Sequence, residues 1–120
     1  MVDDDPIYTS TFKNLLASWQ IQNPFLFFNH AKEALDFMLI KEASALPDIL
    51  LLDLNMPVMN GWLFLEKFAS IEQQLSKKIK IYLVSSSIWE EDLQRAKNNI
   101  LVQDFISKPV FKEKLLQILA

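Results

Sequence analysis

The chain has 120 residues and no cysteine. Disulfide frameworks and thiolate metal sites are thereby excluded. It has one glycine, Gly61, so close backbone approach or a positive φ is most wanted at one turn. Its one histidine, His30, has no serine or cysteine nucleophile pattern near it and is read as a surface residue without a role. Basic residues form no block and the net charge is −3, which argues against direct binding of nucleic acid. No apolar run approaches the roughly 20 residues of a membrane span. The N-terminus lacks the basic-then-apolar pattern of a signal peptide. A cytoplasmic protein with no membrane contact is expected. There is no internal repeat, low-complexity segment or linker, and the length suits one core, so residues 1–120 are read as one domain.

The most informative stretch is Ile49-Leu50-Leu51-Leu52-Asp53-Leu54-Asn55-Met56-Pro57, closing at Asn60-Gly61. An unbroken aliphatic run between turn signals reads as a strand buried on both faces. In a parallel α/β sheet, ligands sit just past the carboxyl ends of such strands. Asp53 therefore stands where a functional residue belongs. On this stretch alone, a capping aspartate at a turn fits equally well.

The remaining chain alternates. Met1-Val2 leads into Asp3-Asp4-Asp5 and Pro6. That acid cluster is either a solvated terminus or one wall of a divalent cation site, since like charges repel unless neutralised. A helix is predicted over about 7–20, with Phe12, Leu15, Leu16 and Trp19 as its apolar face. Phe25 to Phe28 reads as a short buried strand. Asn29 is a plausible N-cap for a helix over 31–43 with Leu35, Met38 and Leu39 inward. After the central strand, a helix is predicted from Trp62 to about Leu75, with Leu65, Phe68 and Ala69 inward. Ser76-Lys77-Lys78 is a polar connection. A strand from Ile79 to Val84 ends in Ser85-Ser86-Ser87, hydroxyls that either donate to an anion or cap the next helix. Trp89, Leu93, Ala96 and Ile100 mark that helix, which suits an end at Asn98-Asn99. Val102 to Ile106 forms the last strand, followed by Ser107-Lys108-Pro109. A final helix carries Phe111, Leu115 and Ile118. Strand then helix, five times over, implies a parallel sheet between helical layers.

Asp3, Asp4, Asp53, Asn55, Ser85 and Lys108 all fall at the carboxyl ends of predicted strands, hence on one edge of the sheet. Clustered carboxylates require a hard cation, and oxygen ligands describe Mg²⁺. Lys108 can neutralise a phosphoryl oxygen as a point charge, and the Ser85 hydroxyl can donate to another. Asp53 would act as nucleophile and form an acyl phosphate. The set suits phosphoryl transfer, in which the protein supplies positioning and charge stabilisation.

Taken together, Val2-Asp3-Asp4-Asp5-Pro6, Leu51 to Pro57, Asn60-Gly61, Val84-Ser85-Ser86 and Lys108-Pro109 resemble the receiver domain of a bacterial two-component response regulator, over essentially the whole chain. The resemblance implies an αβα sandwich, (βα)5, with a five-stranded parallel sheet in the flavodoxin-like order 2-1-3-4-5. It implies Asp53 as phosphoacceptor and Mg²⁺ on Asp4, Asp53 and the Asn55 carbonyl, with Asp3 helping through water. Lys108 would pair with the phosphoryl group, and its bond to Pro109 would be cis. Ser85 and Phe105 would be the switch pair: the hydroxyl moves inward, the ring follows, and the surface of the fourth helix, fifth strand and fifth helix changes. Trp89 is either part of that surface or a partly buried core aromatic.

The implied partners are a sensor histidine kinase or phosphotransfer protein and a downstream protein, with a homodimer left open. Only self-phosphorylation and self-dephosphorylation are implied, not enzymatic turnover. Two other functions compete. One is a degenerate receiver that binds a partner without phosphorylation. The other is a small aspartyl-phosphate phosphohydrolase, a poor fit because Asn55 cannot act as general acid. The sequence departs from the family in its first strand, where only Met1 and Val2 precede the acids. A truncated first strand is expected, and with it a frayed acid pair. The chain is expected to be a stand-alone or excised receiver.

Overall fold

Ile49–Asp53 forms β1, and its side chains sort by parity. Leu50 and Leu52 enter one apolar cluster and Leu51 enters another on the opposite face, as the two-residue period of a strand requires. The computed structural model describes residues 1–40, 42–75 and 77–120, and only the backbone of Ala43. The predictions for Lys41, at the end of the second helix, and for Ser76, in the polar connection, lie outside the described residues.

β1 pairs in parallel with β2 (Lys80–Ser85), and β2 with β3 (Val102–Ser107). Leu52 lies opposite Leu83, and Asp53 opposite Val84. Five helices surround the sheet: α1 (Pro6–Ser18), α2 (Ala31–Ile40), α3 (Gly61–Ile71), α4 (Glu90–Lys97) and α5 (Lys112–Leu119). α2, α3 and α4 contribute to the cluster that holds Leu50, Leu52, Ile81 and Leu83. α1 and α5 contribute Phe12, Leu16, Leu115 and Ile118 to the cluster that holds Leu51, Val84 and Ile106. Helices therefore cover both faces of a parallel sheet. Each fully buried Leu, Ile or Phe contributes roughly 1.5–3 kcal/mol of transfer free energy.

The five expected strands are realised differently. Among the described residues three form strands, and the first two segments are reduced to single-residue bridges. Val2 bridges both Phe28 and Leu52 in parallel. Its N–H donates to Leu51 O (2.8 Å) and its carbonyl accepts from Asp53 N (2.9 Å). On its other side, Asp3 N donates to Phe28 O and Phe28 N donates to Met1 O. The lateral order is thus Phe28, Val2, β1, β2, β3. Phe25–Phe28 does not form the expected buried strand, because so short a neighbour offers no continuous ladder. Leu26 is exposed and the three phenylalanines are half-buried.

Two helix starts have clear causes. The Asp5 carboxylate accepts from Ile7 N, and Pro6 opens α1 where its missing N–H costs nothing. Asn60 caps α3 by accepting from Leu63 N. Gly61 is required by close approach: a Cβ there would lie 2.9 Å from Leu54 Cα. The second helix opens at Ala31, so Asn29 is not at the N-cap position. Several residues expected inside are at the surface. Leu39, Ala69, Ile100 and Phe111 are exposed, whereas Phe64 is fully buried; Trp89, for which surface and core were both open, is exposed. α4 is short and ends at Lys97, which leaves Ile100 beyond its apolar stripe. Among the described residues no helix is long and apolar enough to cross a membrane.

Candidate functional site

The bridge at Val2 fixes the geometry of the carboxyl edge of the sheet. Its two hydrogen bonds to β1 align the residue after it, Asp3, with the end of β1, where Asp53 sits. Asp3 and Asp53 are both buried, and Asp4 is half-buried. Carboxylate oxygens of Asp3, Asp4 and Asp53 lie within 4.8 Å of one another. The ordered bridge, in place of the expected frayed terminus, brings these acids together.

Lys108 enters from the end of β3. Its amide donates to Ser85 O (2.8 Å), which ties the loop after β3 to the end of β2. The Lys108–Pro109 peptide is cis, as the resemblance implied. Lys108 Nζ lies 2.7 Å from Asp3 Oδ2 and 3.5 Å from Asp53 Oδ1. The other oxygen of Asp3 accepts from Asp5 N at 2.9 Å. Both oxygens of Asp3 are therefore engaged by protein donors. Three carboxylates against one ammonium leave an excess of negative charge, which suits a divalent cation with oxygen ligands.

The electrostatics follow from burial. Desolvation, reinforced by the charge of Asp3, raises the Asp53 pKa above the ordinary aspartate value; Lys108 and the Asn55 N–H oppose that shift. Burial alone would lower Lys108, but its hydrogen bond to Asp3 and the charge of Asp53 win and raise it. The Lys108 ammonium stays charged, as a partner for anionic oxygen must.

Ser85 is fully buried, and its hydroxyl is occupied. Oγ donates to Ser87 O (2.8 Å) and accepts from Asn55 Nδ2 (2.8 Å) and Ser87 N (3.1 Å). Asn55, exposed itself, thus connects the loop after Asp53 to the end of β2. Phe105 lies one strand further, opposite Leu83, half-buried against the cluster that contains Ala96 of α4. The sheet edge brings together Asp3, Asp4, Asp53 and Lys108, with Asn55 and Ser85 adjoining and Phe105 outside the group.

Sequence reasoning missed three features. Asn29 Nδ2 donates to the Asp3 carbonyl (2.9 Å), which holds the acid loop from the far side. Trp62 Nε1 donates to Asp92 Oδ1 (3.3 Å), and the Arg95 guanidinium stacks on the Trp62 ring at 4.4 Å, so α3 is linked to α4. The Tyr8 ring lies 4.2 Å from Lys108 Nζ. Its position in the first turn of a helix that opens directly after the acids was the available signal.

Residues 1–120 match the family described as response regulator receiver domain. No curated protein matches the chain. Among solved structures, it is similar to a response regulator receiver protein from Dyadobacter fermentans. They share 28% identity with a TM-score of 0.83, over 98% of this chain and 91% of that one. A two-component response regulator from Cytophaga hutchinsonii shares 25% identity with a TM-score of 0.84, over 98% and 90%. One from Legionella pneumophila, at 21% identity and a TM-score of 0.79 over 98% and 91%, shares the fold. The match runs the length of the chain and the fold recurs in these relatives: the chain belongs to the response regulator receiver domain family.

Proposed function

We propose that this domain is a phosphorylation-controlled signalling module in which Asp53 accepts a phosphoryl group from a sensor histidine kinase or phosphotransfer protein. The observation that carries the reading is the placement of Lys108 Nζ against both Asp3 and Asp53, beside the group of three carboxylates. An Asp53 oxygen attacks phosphorus; the new O–P bond forms as the donor's P–N bond breaks, and the electron pair leaves with the donor imidazole. Lys108 neutralises a phosphoryl oxygen as it arrives, a charge stabilisation made before the reaction begins. Asp4, Asp53 and the Asn55 carbonyl would hold Mg²⁺, with Asp3 contributing through water once Lys108 turns to the phosphoryl group. When bound, the ion supplies positive charge at the transferring oxygens.

The Ser85 hydroxyl then exchanges its bond to Ser87 O for one to the phosphoryl group, and releases Asn55 Nδ2 in doing so. Phe105 responds by packing, having no phenolic hydroxyl to reach a partner. The surface formed by α4, β3 and α5 changes, and a downstream protein reads it. The chemistry is confined to Asp53, with no turnover of external esters. The test is intact-protein mass after incubation with acetyl phosphate and Mg²⁺. One phosphoryl group should be gained by the wild type and none by Asp53→Asn. An unmodified but folded wild type would instead favour a phosphorylation-independent binding module.

A further inference from the structure

Lys108 has a third neighbour besides Asp3 and Asp53. Its Nζ lies 4.2 Å from the centre of the Tyr8 ring. The Tyr8 hydroxyl is buried beside the Val110 backbone, too poorly aligned for a regular hydrogen bond. It is the ring face, not the hydroxyl, that lies against Lys108. The ring is itself held in place: it stacks on Phe12, with centroids 6.3 Å apart, and Phe12 is in the core. The Lys108 side chain is only 16% exposed, so the ring face meets an ammonium largely stripped of water. Cation–π attraction is strongest under those conditions.

The geometry points to Tyr8 as a positioning residue for Lys108: its ring face holds the ammonium at the sheet edge, where it can pass from Asp3 to an oxygen on Asp53. Lys108 has a long side chain on a loop, and without the ring only its ion pairs with Asp3 and, more distantly, Asp53 would fix it before phosphorylation. The role in phosphoryl transfer rests on the function proposed above; the positioning itself does not.

Two readouts separate them. The first is the rate at which an amine-acylating reagent modifies Lys108, followed by peptide mass spectrometry. The second is the rate of phosphorylation by acetyl phosphate with Mg²⁺. Tyr8→Phe should match the wild type in both and be at least as stable. Mono-, di- and trifluorinated phenylalanine at position 8 keep the shape but progressively remove the negative ring face. Lys108 labelling should rise along this series, and phosphorylation should slow by roughly tenfold at its end. Tyr8→Leu should behave like the end of the series. Labelling that stays flat across the series overturns the proposal, as does a Tyr8→Phe variant as defective as Tyr8→Leu. Graded labelling in a protein that acetyl phosphate does not modify would uphold the positioning and defeat the phosphoacceptor reading.

Discussion

The two ends of the sheet are built on opposite terms. At the carboxyl end, buried acids and one lysine meet within ion-pair distances, with Asn55 bonded to Ser85 beside them. At the amino end lies an open cleft of about 890 Å³, bordered by Val2, Phe25, Phe28 and Leu50 and also by Asp48 and Lys77. Val2 separates the two. It bonds to β1 through its own N–H and carbonyl, while Met1 and Asp3 on either side of it bond to Phe28, and the Met1 ammonium donates to Leu26 O (2.7 Å). The contrast teaches that the alignment of Asp3 with Asp53 depends on one bridging residue more than on a long strand. The carboxyl end is tied by several side-chain bonds; the amino end opens to solvent.

The largest effect is expected in the core directly behind the acids. Leu52 is fully buried, opposite Leu83 and beside Val2. Leu52→Ala should cost about 3 kcal/mol or more, as expected for a cavity opened at a fully buried leucine. Chemical denaturation would show it; a loss under about 1 kcal/mol would mean that the core around Leu52 repacks freely.

Val2→Ala removes two methyl groups at a fully buried position while leaving the backbone bonds in place. A loss of about 1–2 kcal/mol is expected. If the bridge is what aligns the acids, the affinity for Mg²⁺ should fall with it, measured by Mg²⁺-dependent fluorescence of the tryptophans. Unchanged Mg²⁺ affinity at lowered stability would separate the two ends and break the comparison.

The smallest effect concerns the polar end and has the opposite sign. Because the native Asp53 pKa is raised, the folded state binds more protons than the unfolded one between the ordinary aspartate value and the native value. Stability therefore falls as pH rises through that window, and the penalty is full above it. Asp53→Asn should remove the fall and stabilise the domain at neutral pH without Mg²⁺, by an amount on the order of 1 kcal/mol. Paired denaturation curves across acidic and neutral pH would test the sign. A variant less stable than wild type at neutral pH would mean that the Lys108 pairing outweighs the crowding of acids.

Much of this was legible before any coordinates. The run Ile49–Asp53 marked its own strand, because a strand covered on both faces needs apolar residues of both parities. The alternation of elements then fixed which residues share an edge, so Asp53, Ser85 and Lys108 could be grouped without contacts. What could not be read depended on competition for partners. Asp5 stood in an acid run open to two readings, a solvated terminus or a cation-site wall, and its carboxylate caps α1. The partners these groups hold without an ion or phosphoryl group were not legible either: Asp3 is bonded to Lys108 and Asp5 N, and Ser85 to Ser87 and Asn55. Phe64 is fully buried while Ala69 is exposed, because the apolar face of α3 is rotated from the one that spacing suggested. Tyr8 carried no motif at all; its contact with Lys108 spans a hundred residues and exists only in the folded chain.

The central claim is that the polar edge of this sheet is a phosphoacceptor site organised on Asp53. Intact-protein mass spectrometry after acetyl phosphate and Mg²⁺ tests it most directly, with Asp53→Asn alongside. One added phosphoryl group is expected in the wild type, lost when Mg²⁺ is chelated during the reaction and absent from the variant. A folded wild type that gains nothing, or a variant that gains as much, would contradict it.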